Sequence, residues 1–149
     1  MSIFRSASPA QISLGLLALR LVTGLVFIAH GAQKVFVYGF DGVAGSFAGL
    51  GIPMAGLVGP AVALVELLGG LALVAGLLTR LAGAGLAVVM LGAVLIAHLA
   101  GGFFLPTGYE FALTLFGASL ALAATGAGQF SLDALLARRA VPAAVRAAA

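Results

Sequence analysis

The sequence predicts an all-α fold, an integral membrane bundle of four helices that cross the bilayer. Of the 149 residues, 63% are hydrophobic and only 7% are charged, with a mean hydropathy of +1.27. A soluble domain of this length cannot bury so much apolar surface. Four apolar stretches approach or reach the roughly 20 residues that cross about 30 Å of hydrocarbon, namely residues 14–33, 57–78, 82–100 and 111–126. Because little chain remains outside them, we expect one domain over residues 1–149.

The basic residues predict the orientation of these spans. If all four cross, one side of the membrane receives five arginines: Arg5, Arg80, Arg138, Arg139 and Arg146. The first loop on the other side carries only Lys34 and Asp41 as charged residues, and the last loop there has no basic residue. The positive-inside rule therefore places both termini and the Thr79–Leu81 turn in the cytoplasm, as in a multi-pass protein of the inner (plasma) membrane. We expect the first helix to be retained rather than cleaved as a signal peptide, because Arg20 interrupts its apolar run.

Two short amphipathic helices are expected outside the spans. In the long loop after the first span, Asp41 is placed to cap a helix. The apolar positions of this helix are Val43, Phe47 and Leu50. Gly51 and Pro53 end it. The aromatic content of this loop predicts that it lies on the membrane interface or folds over the bundle as a lid. After the fourth span, Ser131 and Asp133 can start a helix that ends at Arg138 and Arg139 and lies on the inner surface.

Glycine is frequent inside the predicted spans, and the chain has 22 glycines in all. Small residues let helix backbones approach closely in lipid, where no hydrophobic effect drives helix association. We therefore expect packing surfaces on the second and third helices. They are formed by Gly69, Gly70, Gly76, Gly83, Gly85 and Gly92.

Several ionisable residues lie inside or at the rims of the apolar stretches, where an unpaired charge costs at least ~2.5–3.5 kcal/mol. On the first helix, polar and aromatic residues at spacings of 3, 4, 3 and 4 form one stripe that should face the bundle. The stripe consists of Arg20, Thr23, Phe27, His30 and Lys34. At about 1.5 Å per residue, Arg20 lies roughly 20 Å below Lys34 and within about 10 Å of the depth of Glu66. These depths predict an Arg20–Glu66 ion pair in mid-membrane, more structural than catalytic.

The same estimate brings a second set of polar residues to the outer end of the bundle. Two histidines at one level, with a lysine and a glutamate, favour a ligand site there. A simpler interpretation of Lys34 is a side chain that extends to the outer headgroups. A simpler interpretation of Tyr109 is an anchor at the membrane interface. The outer residues are His30, Lys34, His98, Tyr109 and Glu110, and together with Glu66 from mid-membrane they are the candidate ligand-binding residues.

Five short patterns occur in an order and spacing that resemble the DoxX family of small four-helix membrane proteins. They are HGAQK at 30–34, ELLGG at 66–70, GLLTR at 76–80, GYE at 108–110 and GAGQFSLD at 126–133. The resemblance runs from about Leu19 to Leu136, and the order of the five patterns makes it specific. The residues that it carries over are His30, Lys34, Glu66, Arg80, Tyr109 and Glu110.

The resemblance implies a role in membrane oxidoreductase systems. Family members include a related subunit of a thiosulfate:quinone oxidoreductase and a member of a redox-stress complex with superoxide dismutase and a sulfurtransferase. The leading hypothesis is accordingly a membrane subunit that binds a quinone or a small oxidised substrate at the outer polar cluster, with the electrons supplied by a cofactor or a partner. With no cysteine in the chain, it cannot contribute a thiol or a disulfide itself.

Other functions remain open from the sequence, as does whether the chain is catalytic by itself. One is a small-solute transporter or channel with Arg20 and Glu66 as its gate, and another is a membrane scaffold for a redox partner. Haem held by His30 and His98, or a metal bound with Glu110, is the least favoured. The expected partners are the lipid bilayer, a redox protein and a second copy of the chain. Nucleic acid is not expected, because the basic balance is only three net charges.

Overall fold

The computed structural model of the protein describes residues 6–140, and the regular elements in this range are helices. We number the α-helices along the chain as α1 Pro9–Ala32, α2 Gly39–Gly49, α3 Ala55–Ala75, α4 Thr79–Gly92, α5 Glu110–Thr125 and α6 Leu132–Ala140. The first π segment (Gln33–Tyr38) extends α1, and the second π segment (Ala93–His98) extends α4 into a short 3₁₀ turn, Leu99–Gly101. Arg5 and Arg146, which contribute to the predicted orientation, lie outside the described residues.

Three helical stretches are long and apolar enough to cross a membrane: Pro9–Gly49, Ala55–Ala75 and Thr79–Gly101. They contain the first three predicted spans almost completely. The fourth predicted span is a shorter apolar helix, α5, whose 16 residues measure about 24 Å. The regular structure of residues 6–140 is thus all-helical, and the chain is a multi-pass membrane protein.

The described chain stays helical well beyond the predicted end of the first span at residue 33. The first π segment continues α1, and Gly39, with φ +70° and ψ 165°, turns the chain into α2. Such a positive φ is readily adopted by glycine. The short helix expected in this loop is confirmed, but Asp41 does not cap it. Asp41 lies in the first turn of α2, which starts directly after the π segment and has no side-chain cap.

Two other helix starts follow the local sequence closely. At α1, the Ser8 hydroxyl accepts from the Gln11 N–H at 3.3 Å, and the Gln11 side chain accepts from the Ser8 N–H at 2.8 Å. This reciprocal capping box comes with Pro9 at the first helical position. At α6, the Ser131 hydroxyl accepts from the Ala134 N–H at 3.1 Å, so the predicted start of the amphipathic helix is confirmed.

The helices pack as two pairs, α1 with α3 and α4 with α5, joined chiefly by contacts between α3 and α4, while α2 lies against α3. The core is apolar and consists of Phe27, Leu73, Leu86, Met90, Val94, Ala112, Leu115 and Leu122. We call the end of the bundle where α5 begins the Lys34 end, and the end where α4 begins the Arg80 end.

Glycines set the closest helix contacts. A Cβ on Gly70 would lie 2.8 Å from the Gly24 carbonyl oxygen, and one on Gly83 would lie 2.8 Å from the Ser119 carbonyl oxygen. These two and Gly69 are packing residues, as predicted. Two other predicted packing glycines have different roles. Gly76 ends α3 in the left-handed conformation with φ +66°, and a Cβ on Gly92 would meet nothing within 4 Å.

Candidate functional site

A cavity of about 620 Å³ lies inside the bundle towards the Lys34 end. This volume falls within the roughly 300–1,000 Å³ that is usual for small-molecule sites. The walls come from α1 and the first π segment, α3, α4 with the second π segment, and α5. The lining is mostly apolar, and its ionisable residues are His30, Lys34, Glu66 and His98. Sequence reasoning did not foresee the side chains from α2 and the following turn that help to line it, which are Phe47, Leu50 and Ile52.

An ion pair between Lys34 and Glu66 is built into the cavity wall. Lys34 Nζ lies 2.5 Å from Glu66 Oε2, and the two side chains are 22% and 4% exposed. Lys34 stands in the first π segment, and Glu66 stands near the middle of α3. π-helical turns are uncommon and frequently occur at functional sites. The pair therefore places a charge-assisted donor and a carboxylate together in an apolar cavity.

The predicted Arg20–Glu66 ion pair is wrong, because α1 and α3 pack in a different register. A Cβ on Gly31 would lie in close contact with Leu67, so this level of α1 faces the residue next to Glu66. Arg20 lies 11 residues further down α1, about 16 Å away along the helix axis. The first π segment keeps Lys34 inside the bundle wall, where it takes the place predicted for Arg20. The gate proposed for a transporter is therefore not formed by these two residues.

Arg20 instead holds the C-terminal segment at the Arg80 end. Its Nη2 donates to the Phe130 carbonyl oxygen at 2.7 Å, and it is 1% exposed. The Gly76 backbone lies against the guanidinium so closely that a Cβ there would overlap Nη1. The pattern at 126–133 thus connects α1 to the turn between α3 and α4.

The same segment also caps α4, a role that sequence reasoning missed. The Asp133 carboxylate accepts from the Leu78 N–H at 2.7 Å and from the Thr79 N–H at 3.0 Å. In return, the Asp133 N–H donates to the Gly76 carbonyl oxygen at 2.8 Å. We call residues 126–133 the clasp. Asp133 was expected only to help start α6, and no local signal reveals a cap that acts across 54 residues.

The two predicted histidines both reach the cavity. The His30 Nδ1 is 3.0 Å from the Val26 carbonyl oxygen, and its ring lies 5.9 Å from that of Phe111, measured between centroids. The His98 Nδ1 is 3.4 Å from the Thr107 carbonyl oxygen. Because a carbonyl only accepts, these contacts place the proton of a neutral imidazole on Nδ1 and leave Nε2 as an acceptor. Each histidine can then accept a proton at Nε2 and, when protonated, donate it.

Tyr109 and Glu110 lie close to the predicted level but do not line the cavity. The Glu110 Oε1 accepts from the Leu105 N–H at 2.8 Å, which fastens the loop before α5. The Tyr109 ring packs edge-on against Phe103, with 5.4 Å between centroids. Arg80, carried over from the family resemblance, is exposed at the opposite end of the bundle. The structure therefore brings together four of the six candidates and gives the other two a role in shaping the loop.

The described residues contain no group of three or more His, Cys, Asp or Glu side chains arranged to hold a metal ion. The cavity instead offers one carboxylate, one ammonium and two imidazoles on apolar walls. Such a set can hydrogen-bond a neutral polar group and exchange protons with it.

Residues 15–99, more than half of the chain, match the family described as DoxX. "Putative oxidoreductase CatD" of Bacillus subtilis (strain 168) is 32% identical over 120 residues, which cover 80% of this chain and 85% of that protein. "Uncharacterized membrane protein Rv3486" of Mycobacterium tuberculosis (strain ATCC 25618 / H37Rv) is 33% identical over 135 residues, with coverage of 83% and 82%. No solved structure matches the chain.

Proposed function

Because the chain belongs to the DoxX family of membrane proteins, we propose that it is the membrane subunit of an oxidoreductase system. In this proposal it binds a quinone, or a small oxidised substrate, in the cavity near the Lys34 end. The name of the Bacillus subtilis relative supports an oxidoreductase association. The resemblance to a subunit of a thiosulfate:quinone oxidoreductase supports a quinone.

The single observation that carries the proposal is the Lys34–Glu66 pair in the wall of an apolar cavity. Reduction of a quinone to a quinol takes two electrons and two protons, and the quinone carbonyl oxygens become hydroxyls. In this proposal, Lys34 donates a hydrogen bond to one carbonyl, which favours the negative charge that develops there. Glu66 passes on a proton. In this proposal the electrons come from a partner or a cofactor, because a chain without cysteine cannot supply two electrons from a dithiol.

The histidines extend this proton exchange to the rest of the cavity. His30 and His98 present Nε2 as an acceptor when neutral and as a donor when protonated. His30 stands on α1 and His98 ends the second π segment, so a bound ring can meet proton-exchanging groups from different walls.

The proposal is tested by the quinone content of the purified protein. We expect lipid extracted from detergent-purified wild type to contain quinone in a stoichiometric amount, measured by chromatography. Glu66→Gln and His30→Ala should lower the retained amount by about tenfold, which corresponds to about 1.4 kcal/mol of binding free energy.

Thr114→Val is the matched control for this test. Thr114 lies on α5, is exposed, and uses its hydroxyl to donate to the Glu110 carbonyl oxygen at 2.8 Å without lining the cavity. It should retain as much quinone as wild type. Wild-type protein without quinone, together with normal redox function of cells that carry Glu66→Gln, would contradict the proposal.

We also propose that the Lys34 end faces the outer side of an inner (plasma) membrane and the Arg80 end faces the cytoplasm. Within the described residues, Arg80, Arg138 and Arg139 gather at the Arg80 end, with Lys34 at the other. A cytoplasmic excess of Lys and Arg is the usual determinant of orientation. A soluble redox partner would then approach from either aqueous side, and the quinone from the lipid.

A further inference from the structure

We infer that the ligand enters the cavity sideways from the lipid, between α3 and the junction of α4 with the second π segment, and that it carries an apolar tail that remains in the bilayer. This inference rests on the proposed function and specifies the class of its ligand. The polar head would lie against the Lys34–Glu66 pair, and the tail would pass out between the two helices.

The cavity has an opening on the surface of the bundle at this place. Val88 and Ile96 line the cavity, yet they are 71% and 54% exposed. Gly92, which lies between them on α4 and also lines the cavity, has space in front of it, since a Cβ there would meet no atom within 4 Å. Val62 lines the cavity from α3. The residues at the edges of this opening, Val62, Val88, Gly92 and Ile96, are apolar side chains or glycine.

The opening exists because α3 and α4 change packing partners along their length. Towards the Arg80 end they are in contact, and a Cβ on Gly69 would lie 3.0 Å from the Leu86 side chain. Towards the Lys34 end, α3 packs against α2 instead, where a Cβ on Gly59 would lie 3.2 Å from the Ala44 N–H nitrogen. The second π segment continues α4 along α5. The two helices therefore separate beside the cavity.

The depth of the opening places it in hydrocarbon. Gly92 stands 13 residues after Thr79, the first residue of α4, so it lies about 20 Å along a span of about 30 Å. Acyl chains rather than water then border the opening. On the side towards the Lys34 end, the half-buried Phe47 and Ile52 cover part of the cavity, beside Leu50, which is 45% exposed. A ligand that partitions into the bilayer thus has the more direct route.

The test compares a quinone that has a long isoprenoid tail with one that has the same ring and no tail. Gly92→Trp and Val88→Trp each place an indole at the opening. We expect each variant to weaken binding of the tailed quinone, relative to wild type, at least about tenfold more than it weakens binding of the tailless quinone. Binding is measured in lipid nanodiscs over a concentration series, with bound quinone quantified by chromatography.

Gly117→Trp is the matched control. Gly117 lies on α5, is exposed, does not line the cavity, and likewise has nothing within 4 Å of an added Cβ. It should bind both quinones as wild type does. Unchanged binding of the tailed quinone in both cavity variants would overturn the sideways route alone, as would an equal loss of both quinones. Failure of wild type to bind either quinone would overturn the proposed function, and this inference with it.

Discussion

The few ionisable residues within the bundle each have a defined partner, and these partners separate two roles. Lys34 and Glu66 satisfy each other beside a cavity, as charged groups in an apolar environment require. Arg20 donates to a backbone carbonyl away from the cavity, and its Nε and Nη1 have no hydrogen-bond partner among the described residues. The first pair lies in the wall of the cavity, where we propose that the ligand binds, whereas Arg20 ties the C-terminal segment to α1.

Replacing one partner of the Lys34–Glu66 pair should lower the stability of the protein much more than replacing both. Lys34→Met alone or Glu66→Leu alone leaves one ionisable group unpaired in an apolar wall, and we expect each to lower the free energy of unfolding by about 3–5 kcal/mol. The double variant should recover most of that loss, because apolar replacement of a whole buried pair is often neutral. Thermal unfolding in detergent measures all three. A double variant as unstable as the sum of the single variants would contradict the pairing.

At the scale of the elements, the α1–α3 contact depends on glycines that face each other. Gly24→Ala would bring a Cβ within 2.8 Å of the Gly70 carbonyl oxygen, and such overpacking typically costs about 1–3 kcal/mol. We expect the thermal midpoint to fall accordingly. Gly15→Ala is the control, since Gly15 is also on α1 and meets nothing within 4 Å. That change should stabilise the helix by up to about 1 kcal/mol.

The clasp predicts a local effect on the start of α4. Asp133→Ala removes the acceptor for the Leu78 and Thr79 N–H groups, and loss of a cap costs about 0.5–2 kcal/mol. Hydrogen exchange should therefore become faster in the first turn of α4. Asp41→Ala is the control, because Asp41 is exposed in the first turn of α2 and caps nothing. Unchanged exchange at Thr79 in the Asp133 variant would show that the cap does not hold α4.

At the scale of the whole molecule, the proposed orientation can be read by chemical labelling, because the chain has no cysteine of its own. Ser46→Cys introduces an exposed thiol on α2 near the Lys34 end, and Ala137→Cys introduces one on α6 at the Arg80 end. In intact cells, a membrane-impermeant maleimide should label Ser46→Cys directly and Ala137→Cys only after permeabilisation. The reverse pattern would invert the orientation, and the cysteine-free wild type gives the background.

The sequence alone determines the helices and most of their ends. The length of the apolar stretches predicts long helices, because backbone groups in lipid must be hydrogen-bonded within the same helix. The Ser131 start of α6 follows from a residue type with a strong local preference. These features depend on residues within a few positions of one another. The first π segment and the bend at Gly39 were not predicted, because nothing local distinguishes them from an ordinary helix end followed by a loop.

Which polar residues meet was decided only by the tertiary structure. The sequence identified Lys34, Glu66, His30 and His98 as candidates, but it paired Glu66 with Arg20. The pairing depends on the register between α1 and α3, which the contacts of Gly24 and Gly31 fix. A helix rises about 1.5 Å per residue, so an error of two turns moves a side chain by about 11 Å and changes its partner. Local sequence sets each helix, whereas the close packing between helices sets the chemistry of the site.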